Sequence, residues 1–247
     1  MDTKKPLQSA ISLPRGKDTT LTIGNQPPPG RLGRADRSLL RPPREVPRRW
    51  STQSAPGRIV LRHAIANIEL NAVDLALDMA SRFTKTQLPV NFYHDWLGVD
   101  DYEARHFLML RNQPAGLGAA YGDLPAHDGR WHAADATKHD LLARLTVAPL
   151  VLEARGLDVT PTMIDRLKSV GGEDSASARG IIMTDEITHV SDGKRWFDYM
   201  CGMDRRDPVS TWHSIVKRYF HRDLILLSAM LPVFKKRFTA SLPQEMM

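Results

Sequence analysis

The sequence predicts an all-α protein built around a four-helix bundle that binds two metal ions. From residue 57 onwards, long amphipathic segments alternate with short breaks that are rich in Pro and Gly. No run of residues shows the strict alternation of a half-buried strand. Four glutamates and two histidines also recur in a two-fold pattern, in which a lone Glu is followed 34 or 33 residues later by Glu-x-x-His.

This repeated pattern has the ligand order of a di-metal carboxylate bundle. In such bundles two helices supply one Glu each and two supply a Glu-x-x-His motif, all directed inward to bind a pair of iron or manganese ions. We therefore expect two Fe or Mn ions to be bound by these six side chains. In chain order they are Glu69, Glu103, His106, Glu153, Glu186 and His189.

The neighbours of the glutamates indicate that their side chains point inward. Residues three, four and seven positions away share a helix face. Ile65 and Ala72 share the face of Glu69, and Ile182 shares that of Glu186. An unpaired carboxylate in an apolar core costs roughly several kcal/mol, so it is normally protonated, ion-paired or bound to metal. Four such carboxylates at corresponding positions of four helices favour a bound metal over the other two explanations.

Stop signals define the first pair of helices. The first helix is predicted over residues 58–82 and ends before Pro89. The second begins between residues 92 and 95 and ends by Pro114, because proline cannot continue a helix. A turn-rich stretch over 121–129 follows, so a long connection joins the two halves of the bundle.

The second half should contain two more long helices and two short ones. The third long helix is predicted over residues 131–154 and the fourth over 175–201. Thr160-Pro161 is typical of an N-cap followed by proline, and predicts a short helix that ends at 171–172. Asp207-Pro208 begins a further C-terminal helix in the same way.

Pro149 lies four residues before Glu153, inside the third long helix. Proline removes a backbone hydrogen bond and kinks a helix. A kink here could aim Glu153 or open a path for a substrate. The alternative is that Pro149 marks an ordinary helix boundary, and Gly156 is expected to end the helix in either case.

The charge distribution divides the chain into two parts. The net charge is +6, but residues 1–50 alone hold 11 Lys or Arg against 4 Asp or Glu, together with eight of the 17 prolines. We therefore predict an extended or disordered arm over 1–57 and a metal-binding bundle over 58–240. The arm either docks against the bundle near Leu39-Leu40 and Trp50, or binds RNA or another phosphate.

Composition excludes several other classes of protein. The single cysteine, Cys201, rules out an internal disulfide and a Cys-based zinc or iron–sulfur site, which leaves oxygen and nitrogen ligands. No hydrophobic signal segment opens the chain, and the longest apolar run, over 224–234, is too short to span a bilayer. We expect a cytoplasmic protein with no membrane partner, and a homo-oligomer remains open.

Several stretches of the sequence resemble the DUF455 family. They are residues 63–70, 121–129, 151–161 and 185–190, and the resemblance covers about residues 30–220. That family is grouped with ferritin-like di-iron proteins and is often compared with tRNA hydroxylases of the MiaE type. The resemblance therefore implies a ferritin-like bundle, and it implies the same six metal ligands.

Other polar residues near the motifs have competing interpretations. Asp100, Asp101 and Asp185 could orient a ligand histidine from across the bundle, or could be solvated or capping residues. His127 lies in a turn, where it either bonds to the backbone or lines the mouth of the site. Asn67 stands where the family has a histidine; it lies off the face of the ligands, and we expect at most a surface or supporting role.

The ligand set suggests what the protein does. Six protein ligands on two metals leave coordination positions open, and a di-iron(II) site with open positions can bind O₂. The leading hypothesis is an O₂-dependent oxidase or hydroxylase that acts on an organic substrate, with a modified tRNA nucleoside as one candidate and an unknown electron donor. The alternatives are an iron-handling ferritin-like protein with ferroxidase activity, and a metal-stabilised scaffold without catalysis.

Overall fold

The structure is a computed structural model that describes residues 23–24, 26, 28–31, 39–47, 54–112 and 120–220. Most of the predicted arm, including Trp50, and the apolar run over 224–234 lie outside the described residues. The helices are α1 Ala55–Arg82, α2 Val90–Asn112, α3 Gly129–Ala136, α4 Leu141–Val147, α5 Ala154–Lys168, α6 Glu173–Met203 and α7 Pro208–Tyr219. A π-helical segment, Ala148–Glu153, joins α4 to α5.

The all-α prediction is confirmed. Helix α1 packs against α2 and α5 packs against α6, while α2 and the π segment also contact α6. The bundle therefore consists of α1, α2, the continuous α4–π–α5 helix and α6. Helix α3 lies in the connection and packs against α1, and α7 packs against α4 and α6. In the part of the chain that the structure describes, none of the helices is long and apolar enough to cross a membrane.

Capping side chains determine where several helices begin. Ser54 accepts a hydrogen bond from the Gly57 N–H at 3.1 Å at the start of α1. Asp207 accepts one from the Ser210 N–H at 2.8 Å at the start of α7, as the Asp-Pro pair predicts. Each cap satisfies a backbone donor that has no partner within the helix.

The third long helix differs from the prediction in being interrupted and in where it ends. Residues 131–154 are not continuous, because α3 ends at Ala136 and Asp140 caps a new helix by accepting from the Ala143 N–H at 3.0 Å. The prediction that Gly156 ends the helix is wrong, since α5 continues to Lys168.

The prediction of a separate short helix beginning at Thr160-Pro161 is also wrong. Pro161 lies inside α5, where its ring denies the helix one backbone donor. The hydroxyl of Thr160 donates to the Gly156 carbonyl at 2.8 Å, which adds a bond within the same turn. Packing of α5 along α6 supports the helix through this point, so a signal that often starts a helix is overridden by tertiary contact.

The predicted distortion at Pro149 is confirmed, and the helix-boundary alternative is wrong. Pro149 lies in the π segment, which widens the helix for one turn and ends at Glu153. The proline ring contacts α6 at Gly193 so closely that a Cβ atom there would lie 2.5 Å from the Pro149 side chain. Only glycine at residue 193 allows this approach.

The apolar core has two parts. The larger cluster contains aromatic side chains such as Phe92 and Trp196, whose rings meet edge to face with centroids 5.2 Å apart. The smaller cluster contains Leu61, Leu110 and Ile182. On α1, α2 and α6 the predicted metal ligands fall between residues of these two clusters, so a polar layer crosses the middle of the bundle.

The described residues of the N-terminal arm contact the connection between the helix pairs. The N–H of Arg41 donates to the Ala126 carbonyl at 2.9 Å, and the N–H of Ala126 donates to the Leu39 carbonyl at 3.0 Å. Arg31 forms an ion pair with Asp128. This part of the arm therefore lies against residues 120–128.

Candidate metal centre

The six predicted ligand residues are all buried, and they converge on the polar layer. Their exposed fractions lie between 0% and 6%. Each bundle helix contributes, because α1 carries the first Glu, α2 and α6 carry the Glu-x-x-His motifs, and the π segment ends with the remaining Glu. In order along the chain these residues are Glu69, Glu103, His106, Glu153, Glu186 and His189.

Three of the six form a compact group that could hold a metal ion. One ligand atom from each of Glu69, Glu103 and His106 lies within 4.8 Å of the others. The Nδ1 atom of His106 is 3.3 Å from Oε2 of Glu103 and 3.7 Å from Oε2 of Glu69. All three side chains are fully buried.

The other three residues adjoin this group without closing into a second equally compact one among the described residues. Nδ1 of His189 lies 3.0 Å from Oε1 of Glu103 without the geometry of a hydrogen bond, whereas His106 approaches the other oxygen of that carboxylate. The charges of Glu153 and Glu186 interact with each other and with Glu103. Glu103 therefore stands between the two halves of the pattern.

The layer concentrates buried polar atoms that have no hydrogen-bond partner in the described structure. They are Oε1 and Oε2 of Glu69, Oε1 of Glu103, Oε2 of Glu153, Oε2 of Glu186, and both ring nitrogens of His189. Buried polar atoms in folded proteins are nearly always satisfied. A group of oxygen and nitrogen lone pairs left over in one place is what a bound cation would satisfy, and this donor set suits iron or manganese. The residues present fit a metal.

Burial changes the ionisation of three of the carboxyl groups. Burial raises the pKa of Glu69 to about 7, and the nearby Glu103 charge adds to this effect. Burial, followed by repulsion from the other three glutamates, raises the pKa of Glu186 well above its usual value. The pKa of Glu153 is raised by burial and then by the charge of Glu103. Without metal these groups therefore keep their protons to higher pH than ordinary carboxyl groups do.

Glu103 behaves differently from the other glutamates. Burial disfavours its charge, but the close approach of His106 and His189, together with Glu69, outweighs burial and holds the pKa of Glu103 well below its usual value. Burial likewise opposes protonation of His106, yet the carboxylates of Glu103, Glu69 and Asp185 raise the pKa of His106 to about 10. The metal-free layer is thus organised around one ionised carboxylate and its protonated neighbours.

Asp185 orients a predicted ligand histidine from across the bundle. Its Oδ2 atom on α6 lies 2.9 Å from Nε2 of His106 on α2. This leaves Nδ1 of His106 directed at the two glutamates. The orienting role is therefore confirmed for Asp185, whereas Asp101 pairs with Arg105 on the exposed side of α2.

Asn67 and His127 hold the connection against α1. Asn67 is buried, donates to the His127 carbonyl at 3.1 Å and accepts from the Tyr121 hydroxyl at 3.2 Å. A surface position for Asn67 is therefore wrong, because the connection covers the side of α1 on which it lies. Nδ1 of His127 accepts from the Gly129 N–H at 3.2 Å, which supports the backbone-bonding interpretation of this histidine.

Sequence reasoning missed two polar residues beside the layer. Nη1 of Arg179 lies 3.7 Å from Oε1 of Glu69, and its Nη2 donates to the Thr160 hydroxyl at 2.5 Å. Arg179 precedes Glu186 by seven residues and Thr160 follows Glu153 by seven, so both share a helix face with a ligand. The seven-residue spacing from a predicted ligand could have identified Arg179 and Thr160.

Comparisons with known proteins agree with the sequence motifs. The family model described as "Protein of unknown function (DUF455)" matches residues 3–246. An "Uncharacterized protein" from Haemophilus influenzae is 35% identical over 189 residues, which cover 74% of this chain and 65% of that protein. The match thus spans somewhat less than two thirds of the relative's length. No solved structure matches the chain. The chain belongs to the DUF455 family.

Proposed function

We propose that this protein is a di-metal carboxylate oxidase or hydroxylase that uses iron or manganese and O₂ to oxidise an organic substrate. The observation that carries the proposal is the buried layer of four carboxylates and two imidazoles with unsatisfied oxygen and nitrogen atoms. A ferritin-like bundle, which the family resemblance implies, would house such a site in the same place.

The residues divide into two sets around Glu103. Glu69, Glu103 and His106 would hold one metal, and His189, which lies 3.0 Å from Glu103, would contribute to holding a second. Glu153 and Glu186 would complete the ligands of the second metal. A metal pair of this kind, when bound, supplies the O₂ chemistry.

Other residues of the chain prepare the site for that chemistry. Asp185 accepts a hydrogen bond from Nε2 of His106, which holds the ring with Nδ1 facing the metal position. The aromatic cluster around Phe92 and Trp196 fills one end of the bundle and excludes water from that side. Metal binding must displace the protons that Glu69 and Glu186 favour when metal-free, so it should release protons.

Metal content and O₂ uptake test the proposal. The full chain would be loaded anaerobically with Fe(II), desalted, analysed for metal and then mixed with O₂. We expect close to two metals per chain, a new optical absorption on oxidation, and O₂ consumption beyond that of iron alone once a substrate is present. Glu103→Ala and Glu186→Ala should each lose at least one metal, while Glu173→Ala, an exposed control on α6, should not.

The alternatives give different results in the same experiment. O₂ uptake limited to oxidation of added Fe(II), together with assembly into a shell, would favour an iron-handling protein. Bound metal with no O₂ uptake would favour a scaffold. Full metal content in the Glu103→Ala/Glu186→Ala double variant would contradict the site assignment itself.

A further inference from the structure

The two histidines of the polar layer differ in the partner of their second ring nitrogen. His106 directs Nδ1 toward the glutamates, and its Nε2 atom is 2.9 Å from Oδ2 of Asp185. His189 also has Nδ1 beside a glutamate, 3.0 Å from Oε1 of Glu103. The Nε2 atom of His189 is buried and has no hydrogen-bond partner among the described residues. A histidine that binds metal through one ring nitrogen carries a proton on the other, and at His189 that proton has no acceptor.

The repeated motif shows which residue stands where such an acceptor would be. Asp185 directly precedes the Glu-x-x-His motif of α6, and Tyr102 directly precedes the same motif of α2. Each of these two residues contacts the histidine of the opposite helix. Asp185 does so with a carboxylate oxygen, whereas Tyr102 packs its ring against that of His189, with the ring centroids 5.6 Å apart. The two-fold pattern of the ligands is therefore broken at the residues that support the histidines.

The surroundings of His189 do not replace the missing acceptor. Asp192, three residues further along α6, forms an ion pair with Arg195 at 2.8 Å, and both ring nitrogens of His189 stay without a hydrogen-bond partner in the described part of the chain. Tyr102 is 37% exposed and contacts a histidine that is 1% exposed, so its ring lies between His189 and solvent. The guanidinium carbon of Arg105 lies 4.2 Å from the centre of the Tyr102 ring and holds it in this position.

We propose that the two metal positions are unequal, and that Tyr102 makes the position beside His189 the weaker one. An acceptor behind a ligand histidine fixes its ring and increases the basicity of the nitrogen that binds metal. His106 has this acceptor in Asp185, whereas His189 has the ring of Tyr102 in the corresponding place. The ion beside His189 is therefore the first to be lost. The proposal rests on the metal site of the proposed function but does not depend on O₂ chemistry.

Binding of Mn(II) to the metal-free full chain tests the proposal, with free Mn(II) measured by electron paramagnetic resonance. We expect two binding steps in wild type. Repulsion between two ions would separate the steps even at equal positions, so variants are needed to assign each step to a histidine. Tyr102→Asp places a carboxylate at the position that corresponds to Asp185. It should tighten the weaker step by about ten-fold or more and leave the tighter step unchanged.

Two further variants complete the test. Asp185→Ala removes the acceptor behind His106 and should weaken the tighter step by about ten-fold or more. Because the Asp185 side chain is partly exposed, this variant creates little buried space, and it decides the question if Tyr102→Asp does not fold. Leu108→Asp is the control for added charge, since it places a carboxylate on the exposed side of α2. It should leave both steps unchanged.

The outcomes separate this proposal from the proposed function. An unchanged weaker step in folded Tyr102→Asp, or an unchanged tighter step in Asp185→Ala, would overturn the unequal positions. Equal tightening in Leu108→Asp would also overturn them, because negative charge alone would then explain the effect. The expected changes in the variants, without O₂ uptake by Fe(II)-loaded wild type, would support the unequal positions and contradict the oxidase. Wild-type protein that binds no metal would overturn both.

Discussion

At the scale of single residues, the environment of each glutamate determines its ionisation. Glu69 and Glu103 are both buried and belong to the same group, yet the pKa of Glu69 is raised and that of Glu103 is lowered. The difference lies in their partners, because Glu103 faces both histidines whereas Glu69 faces His106 alone. Burial decides the ionisation of Glu69, and the two neighbouring histidines decide that of Glu103.

The raised pKa values predict how the metal-free protein responds to pH. A carboxyl group whose pKa rises on folding, from 4.5 to about 7 for Glu69, binds more protons in the native state. Native stability therefore falls as pH rises from about 4.5 to 7. His106, whose pKa rises from 6.5 to about 10, contributes stability below pH 6.5 that is lost toward pH 10. The lowered pKa of Glu103 makes stability rise with pH instead, but this effect is confined to acid pH.

Melting temperatures in chelator between pH 5 and pH 9 measure this effect. We expect the melting temperature to fall across the range, and to fall less in Glu69→Gln, which cannot ionise at this position. Metal binding requires the same groups to lose protons, so the stabilisation by metal should grow as pH rises. A melting temperature in chelator that rises from pH 5 to pH 9 would contradict the assigned pKa shifts.

Residue spacing predicted which six polar side chains are buried in the polar layer, because each lies on the inward face of a bundle helix. The same periodicity extends two turns further, to Thr160 and Arg179, but no motif directed attention to them. Asn67 could not be placed correctly, since its partners Tyr121 and His127 lie in a connection more than 50 residues away. Contacts that depend on where a loop crosses a helix are not visible in the helix sequence.

At the scale of secondary structure, the π segment positions Glu153. A regular helix would place this residue differently around the axis, because a π-helical turn inserts additional backbone into the turn. The segment contains Pro149, and its close contact with Gly193 brings it against α6. The distortion could be predicted from the proline, whereas the continuation of α5 through Gly156 and Pro161 could not, because it depends on packing against α6.

Two glycines of α6 provide a matched test of that contact. A Cβ at Gly193 would lie 2.5 Å from Pro149, while a Cβ at Gly180 meets nothing within 4 Å. Gly193→Ala should lower the free energy of unfolding by about 1–3 kcal/mol through overpacking. It should also weaken metal binding, because the π segment carries Glu153.

Gly180→Ala is the control in the same helix. It should raise the free energy of unfolding by up to about 1 kcal/mol, since alanine is the better helix former. Urea unfolding and metal analysis of both variants provide the measurements. Equal stability and equal metal content in the two variants would show that the Pro149 contact does not position Glu153.

At the scale of the whole molecule, a metal bound in the polar layer should stabilise the fold. The bundle encloses four carboxylates in its centre, and their mutual repulsion raises the pKa of Glu186 in the metal-free state. A ligand that binds only the native state stabilises it according to its concentration relative to its dissociation constant. Metal should therefore raise the melting temperature of the protein relative to chelator.

The comparison of wild-type protein with Glu103→Ala tests this coupling. In wild type we expect a higher melting temperature with Fe(II) or Mn(II), added anaerobically, than with chelator. In Glu103→Ala the difference should shrink, because this carboxylate lies between both halves of the site. Equal melting temperatures with and without chelator in wild type would show that the buried carboxylates do not bind metal.

The contacts of the N-terminal arm and its charge suggest different roles for this segment. Arg31 pairs with Asp128, and residues 39–41 bond to Ala126, so this part of the arm lies on the connection that Asn67 also anchors. These contacts favour docking. The basic charge of residues 1–50 favours RNA or phosphate binding instead, and would support a tRNA nucleoside as substrate.

Two deletions separate docking from RNA binding. Removing residues 1–41 deletes the contacts to Ala126 and leaves Asp128, whose side chain is 7% exposed, without its arginine. This deletion should lower the melting temperature and preserve the metal content. Removing residues 1–20 deletes Lys4, Lys5 and two further basic residues but keeps those contacts, so it should change neither property.

Neither deletion should affect RNA binding, which we expect to be weak in the full chain. Tight tRNA binding that weakens steeply with salt and disappears with the arm would contradict docking as its main role.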